Sequence, residues 1–325
     1  MEYTNLGRSG LKISRLVLGT MNFGCFTDEK ESFRIMDAAL DMGFNYFDTA
    51  DNYGKSIGQE GITETLIGKW FSLGGGRREK VVLASKVHEE MHDPNDGPNS
   101  PGGLSAYKIR RHFESSLKRL QTDHLEIYYM HHIDRNANRE ELWDAFDGLV
   151  DQGKIDYIAS SNFAAWNLVQ TQELARRKGR FGLLCEQHCY NLMCRMPEME
   201  VLPAAMDEGI GIIVWSPLNS GLLSRNALNG NGLRAKSRPE ELEANRTKLE
   251  AFAELCREIG EPQDTVALAW LLANPAVTAP IIGPRTMKHL EDSVHALEVK
   301  LDDDVMKRLD EIFPGYGTAP EAYAW

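Results

Sequence analysis

The chain has 325 residues, 42% of them hydrophobic, and 48 acidic against 36 basic side chains give a formal net charge of −12. That balance disfavours broad electrostatic attraction to nucleic acid or an anionic membrane, while a local basic cluster could still hold a small anion. The opening Met1-Glu2-Tyr3-Thr4-Asn5-Leu6 lacks a basic start followed by an apolar stretch, and no run reaches the ~18 apolar residues of a membrane helix, so a cytoplasmic protein without nucleic-acid or membrane partners is expected.

Five cysteines (Cys25, Cys185, Cys189, Cys194 and Cys256) are an odd number spread over a long chain, which argues for reduced thiols rather than a disulfide framework. Cys185, His188, Cys189 and Cys194 cluster without the paired C-x-x-C spacing of a structural zinc site, so they read as packing residues and no metal is assigned.

In chain order, a hairpin-like start turns at Gly7-Arg8-Ser9-Gly10, and Leu16 to Thr20 forms the first apolar strand. Phe33, Met36, Ala39 and Leu40 recur at helical spacing within Glu29 to Met42, with Asp28 placed to cap. A second strand, Phe44 to Asp48, leads into Thr49-Ala50-Asp51-Asn52-Tyr53-Gly54. The alternation continues with a helix at Ile62–Phe71, a strand at Val81–Lys86 and a helix at Ser105–Leu120. Next come strand Leu125–His131 with helix Arg139–Gln152, strand Tyr157–Asn162 with helix Trp166–Lys178, and strand Leu183–Tyr190 with helix Pro197–Glu208. Ile210–Trp215 is the seventh strand and Thr278–Gly283 the eighth.

Eight strands alternating with helices in one chain of this length predict an α/β fold, a single (β/α)8 TIM barrel domain over residues 1–325. The stretch between Trp215 and Gly283 exceeds a bare crossover. It reads as a loop from Ser216 to Arg238 followed by two helical stretches, Glu240 to Ala273, parted by Gly260-Glu261-Pro262; one is an extra helix after strand seven. The aromatic tail from Phe313 to Trp325 is irregular and is expected to fold over the barrel mouth or against a neighbouring subunit.

In a parallel barrel the C-terminal strand ends share one face, where active sites are built. Those ends here are Asp48, Lys86, His131, Ser161 with Asn162, Gln187, Trp215 and the segment Gly283 to Thr286. A carboxylate, a lysine and a histidine on successive ends suit proton donation to a carbonyl oxygen. Asp48 can supply the counter-ion of a buried Lys86, and that cation can stabilise the phenolate of a tyrosine such as Tyr53.

The ordered set Asp48-x4-Tyr53-Gly54, Lys86 and Glu126-Ile127-Tyr128-Tyr129-Met130-His131 resembles the active-site motifs of the aldo-keto reductase superfamily, on the bacterial branch related to the potassium-channel β-subunits. The opening Leu6-Gly7-Arg8-Ser9-Gly10-Leu11, Leu18-Gly19-Thr20-Met21, Ser161-Asn162-Phe163, Gln187 to Leu192, Trp215-Ser216-Pro217-Leu218 and Ile282-Gly283-Pro284-Arg285 extend the likeness over nearly the whole chain. The resemblance implies a tetrad in which Tyr53 is the general acid, Lys86 held by Asp48 lowers its pKa, and His131 positions the carbonyl. It also implies NADPH, with the nicotinamide against Trp215 and its carboxamide on Ser161, Asn162 and Gln187. Ser216, Leu218, Gly221 and Leu222 would cover the pyrophosphate, with Thr20, Met21 and Gly283 also on the cofactor, and Arg285 would meet the 2′-phosphate. At the adenine end His289 and Ser293 replace the family's usual Gln and Asn, while Glu291 and Asp292 keep acidic character. The implied function is NADPH-dependent reduction of an aldehyde or ketone to an alcohol, the partner being a small-molecule carbonyl substrate.

Two other readings stand beside this one: a cofactor-binding regulatory subunit with little turnover, and a metal-dependent barrel hydrolase using Asp48, His131 and His132. Trp166 and Trp270 read as core at helical spacing. His132 is expected on the other side of its strand from His131, as a structural or rim residue. His88 and His92, in the loop after strand three, read as solvent-facing, with a substrate entrance as the alternative. The substrate pocket is expected from loops 88–104 and 219–238 and from the tail, and the sequence leaves a homo-oligomer open.

Overall fold

The computed structural model describes residues 1–229 and 235–324. Eight parallel strands close into a barrel: β3 (Val17–Gly19), β4 (Tyr46–Asp48), β5 (Val82–Val87), β6 (Leu125–Met130), β7 (Ile155–Ser161), β8 (Leu183–Cys189), β9 (Gly211–Trp215) and β10 (Ala279–Ile282), with β10 pairing both β3 and β9. An antiparallel hairpin of β1 (Tyr3–Asn5) and β2 (Lys12–Ser14) precedes them. This is the (β/α)8 architecture that the alternation predicts.

Helices α1 (Glu29–Asp41), α2 (Ile62–Ser72), α3 (Ala106–Leu120), α4 (Arg139–Asp151), α5 (Ala165–Arg177) and α6 (Val201–Glu208) follow β3 to β8 in turn. Local chemistry starts several of them: side chains of Asp28, Ser105 and Asn138 accept from backbone N–H groups of Glu31, Lys108 and Glu140, as N-caps do. After β9 come α7 (Pro239–Ala244), α8 (Arg246–Ile259) and α9 (Gln263–Ala273), with α8 ending on left-handed Gly260 (φ 77°) at the predicted break. Part of the predicted 219–238 loop, residues 230–234, lies outside the described residues, as does Trp325.

Three further helices, α10 (Met287–His295), α11 (Asp303–Ile312) and α12 (Glu321–Ala324), occupy a stretch for which the sequence reading assigned no helix. Two of them carry a capping side chain in the sequence: Thr286 accepts from His289 N–H at the start of α10 and Asp302 from Val305 N–H at the start of α11. Among the described residues no helix is long and apolar enough to cross a membrane.

Among the described residues the core has two large compartments, beside a small cluster of Leu222 and Ala227. One, built from Leu18, Phe47, Leu83, Tyr128 and Val214 with the helix faces, lies outside the barrel wall; Trp270 of α9 is buried there, as expected. The other fills the barrel interior with Val17, Tyr46, Ala84, Ile127, Tyr129, Cys185, Ile213 and Ala279, and Leu6 and Ile13 of the hairpin region pack into it. Strand pleating assigns these sides, since alternate residues face opposite ways.

Candidate active site

The same pleat fixes which side chains reach the mouth. Tyr46 faces the interior on β4 and Ala84 does so on β5, so Asp48 and Lys86, two positions on, face inward one layer higher. On β6 Ile127 and Tyr129 face inward, and the ladder runs one bond past the strand's end, from His131 N–H to the Val87 carbonyl at 3.0 Å. His131 therefore continues the inward row. Tyr53 arrives differently, on the turn after β4, which is closed by the hydrogen bond from Gly61 N–H to its carbonyl at 3.1 Å and by left-handed Gly54 (φ 117°). Gly54 cannot be replaced cheaply, because a Cβ there would lie 1.9 Å from the Gln59 carbonyl oxygen.

Lys86 is the hub. Its side chain has 0% exposure, and its ammonium donates to Asp48 Oδ1 at 2.6 Å, the Thr49 carbonyl at 2.8 Å and Tyr53 Oη at 3.0 Å. Three donors meet three acceptors, which is what an ammonium needs to stay charged away from water. Burial alone would lower the Lys86 pKa, but Asp48 and Tyr53 outweigh it and hold the group above its ordinary value. The second carboxylate oxygen, Asp48 Oδ2, accepts from Gln187 Nε2 at 2.7 Å, while the Thr20 hydroxyl donates to the Asp48 carbonyl at 2.9 Å.

Burial also raises the Tyr53 phenol, and the opposing pull of Lys86 does not offset it, so its pKa sits above the usual tyrosine value. The expectation of a net lowering is corrected: Lys86 acts in the expected direction, but desolvation is larger. Tyr53 accordingly holds its proton at neutral pH. Burial, with Lys86 nearby, pushes the His131 imidazole well below its ordinary value, so His131 is neutral there. Its ring stands edge-on to Tyr53 at 6.3 Å between centroids, and its Nδ1 is buried with no hydrogen-bond partner among the described residues.

The rim of this mouth departs from the expectations. His132 does not turn away: its ring stacks on His131 at 5.0 Å, because β6 ends at Met130 and the pleat that would alternate the two side chains ends with it. His88 stands edge-on to His132 at 5.3 Å, so His88 belongs to the entrance, while His92 is exposed. Glu89 sits between them, 3.3 Å from His88 Nδ1 and 3.4 Å from His132 Nε2, and its carboxyl is pulled down to about 2 by the hydrogen bond to His88 and by the neighbouring imidazoles. Trp166 is not core either; it is 54% exposed.

Three residues that sequence reasoning missed brace the catalytic turn from behind. Asp51 is buried 3.2 Å from His112 Nδ1 on α3, and His112 Nε2 lies 3.0 Å from Asp96 in the entrance loop. Asp51 stands in the Asp48 to Gly54 stretch and could have been flagged as a second carboxylate; nothing in the sequence marks its partner on α3.

The residues assigned to a dinucleotide fall into two groups. Trp215 Nε1 donates to Asn162 Oδ1 at 3.1 Å, and Asn162 Nδ2 donates to the His131 carbonyl at 3.1 Å and to the Ser161 hydroxyl at 3.0 Å, so these three side chains form one network beside the tetrad. Ser161 in turn donates to the backbone carbonyl of Gln187 at 2.8 Å, whose side chain is on Asp48. Beyond it, Asn219, Ser220 and Gly221 are left-handed (φ 42°, 53° and 90°), between Leu218 and the buried Leu222, and Ser216 is left-handed too (φ 51°). The N–H groups of Asn219, Gly221 and Leu222 donate to the carbonyls of Ser216, Leu218 and Asn219, which closes this turn on itself. Arg285 has no carboxylate within 4.0 Å among the described residues, and Gly283 accepts from Asn22 Nδ2 at 2.8 Å through its carbonyl. The Arg285 guanidinium, with no such carboxylate to neutralise it, fits a phosphate-bearing dinucleotide.

The adenine-end assignments are less independent of the protein. Asp292 pairs with Lys288 at 3.1 Å and Arg225 at 3.3 Å, and the Ser293 hydroxyl donates to the His289 carbonyl of its own helix at 2.8 Å. Burial, with Arg285 nearby, lowers the His289 imidazole. Met21 lies exposed at the edge, and Thr20 serves Asp48 rather than solvent.

The chain is similar to known proteins over nearly all of its length. A family model described as the Aldo/keto reductase family matches residues 15–313. An uncharacterized oxidoreductase of Bacillus subtilis, YrpG, is 58% identical over the full length of both chains. Versiconal hemiacetal acetate reductase of Aspergillus parasiticus is 31% identical over 96% of each chain. A probable voltage-gated potassium channel subunit beta of rice is 32% identical over 99% of this chain and 100% of its own.

Proposed function

The chain belongs to the aldo/keto reductase family of oxidoreductases, and from that premise we propose that it is a cytoplasmic, single-domain enzyme that reduces an aldehyde or ketone to an alcohol with NADPH. When bound, the dinucleotide supplies the hydride, which no protein side chain can. The chain's own residues handle the proton and the oxygen. Neutral His131 donates a hydrogen bond that orients the substrate carbonyl, and protonated Tyr53 gives its proton to that oxygen as charge develops there. The Lys86 ammonium, 3.0 Å from Tyr53 Oη, stabilises the phenolate left behind, and Asp48 keeps Lys86 in place. Trp215, Ser161, Asn162 and Gln187 hold the nicotinamide end, the turn at Ser216 to Leu222 the pyrophosphate, and Arg285 the 2′-phosphate, whose geometry a guanidinium matches.

The observation that carries this reading is the saturated Lys86 ammonium with Tyr53 as one of its three acceptors. The test is NADPH consumption against a panel of sugar aldehydes, natural-product ketones and aromatic aldehydes. Turnover of at least one carbonyl, insensitive to a chelator, supports the proposal. Tight NADPH binding with no consumption across the panel would instead favour a regulatory role, the reading that the likeness to the rice channel subunit keeps alive. The hydrolase reading is disfavoured because both Asp48 oxygens are already engaged, by Lys86 and Gln187.

A further inference from the structure

On the barrel's flank, outside the tetrad, α4 and α5 part to leave a cavity of about 490 Å³. Its two walls continue directly from the catalytic strand ends, since Ile133 lies two residues after His131 and Trp166 four residues after Asn162. Trp166 carries two guanidiniums over its ring, Arg135 at 5.8 Å and Arg139 at 5.4 Å from the centroid. A third, Arg177, lines the far end of the cavity, about 16 Å along α5. None of the three has a carboxylate within 4.0 Å among the described residues, although most other arginines of this acidic chain do.

The acidic residues lining the cavity are mostly committed elsewhere. The Asp134 carboxylate accepts three backbone N–H groups, from Leu104, Asn136 and Ala137, and Glu173 pairs with Arg176. Glu140 alone is left, exposed at the edge. Partly buried Ile133, Ala137 and Leu174 supply apolar surface between the charged ends. Asn167 also lines the cavity; it is 1% exposed, and neither Nδ2 nor Oδ1 has a hydrogen-bond partner among the described residues. An orphaned buried amide costs free energy unless something completes it.

We propose that this cavity is a second ligand site, for an organic phosphate monoester with an aromatic or heteroaromatic body. Arg135 and Arg139 grip the phosphate, the forked donors of two guanidiniums matching its three oxygens better than a single carboxylate. The body lies on Ile133, Ala137 and Leu174 against Trp166. The site is independent of the carbonyl chemistry above, so it stands or falls separately.

The test is calorimetric titration of the full chain with 1-naphthyl phosphate in the presence of saturating NADP+, which keeps the probe out of the dinucleotide groove. Saturable binding is expected, with inorganic phosphate and 1-naphthol each far weaker. The double variant Arg135→Ala/Arg139→Ala should bind roughly ten- to a hundredfold less tightly, the loss expected of charge-assisted hydrogen bonds. Trp166→Leu should weaken naphthyl phosphate while leaving inorganic phosphate unchanged. Both sites are on the surface, and an unaltered thermal midpoint confirms the fold. No saturation up to about 10 mM probe, binding abolished by NADP+, or equal affinity in the double variant would each overturn the proposal.

Discussion

At the floor of the barrel mouth, Lys86 is sealed from solvent and meets three acceptors at 2.6 to 3.0 Å. At the rim, Lys55 and His132 reach the same carboxylate, Glu89, at 3.6 and 3.4 Å with their side chains 49% and 43% exposed. The floor is fixed by strand ladders and the rim by loops. Groups on the floor therefore shift each other's proton affinities through a low-dielectric interior, whereas contacts at the rim are longer and partly screened by water. The comparison implies that substitutions on the floor should cost both fold and chemistry, while those at the rim should tune binding and pH response.

The largest effect is expected from Lys86→Met. Removing the ammonium leaves the Asp48 carboxylate buried without its cation, a loss of roughly 3–5 kcal/mol in stability, and turnover should fall at least about a hundredfold. Urea unfolding and NADPH oxidation measure the two; a stable, active variant would break the contrast. Arg285→Ala comes next. It should weaken NADPH by about tenfold or more and leave NADH nearly unchanged in fluorescence titrations, and equal losses would remove the 2′-phosphate assignment.

A smaller effect separates the two regions by pH. His131 is held neutral with its pKa well below 6.5, so the unfolded chain takes up a proton there before the folded one does. That contribution to stability is complete above pH 6.5 and is lost as pH falls below it. Glu89, lowered from 4.5 to about 2, contributes fully above pH 4.5 and loses its share between there and about 2. Denaturation midpoints across pH should lose the first window in His131→Asn and only the second in Glu89→Gln. Identical pH profiles for the two variants would show that floor and rim are not electrostatically distinct.

The same division explains what the sequence made legible. Asp48, Lys86 and His131 each end an apolar strand, and a period of two places them on one face whatever the loops do. All eight barrel strands were readable because each is a short apolar run, largely buried on both faces of a parallel sheet. Trp166 failed because its spacing fits a helix face while saying nothing about which neighbour covers it; here the neighbouring α4 stands off and arginines cover the ring. His132 lies at the rim as expected but on the same side as His131, because alternation does not extend past the last paired strand position. The direction of the Tyr53 shift was misjudged because a sequence names its charged partners but not the desolvation that opposes them. His112 joins Asp51 to Asp96 across three separate segments, and no local pattern encodes that meeting.

The central claim is that Tyr53, poised on Lys86, delivers the proton while other residues hold the cofactor. It is tested most directly by measuring NADPH affinity and single-turnover reduction side by side in wild type and Tyr53→Phe, using the best substrate of the carbonyl panel. The account predicts unchanged affinity with a rate lower by about two to four orders of magnitude. A Tyr53→Phe protein that reduces the carbonyl at the wild-type rate would contradict it.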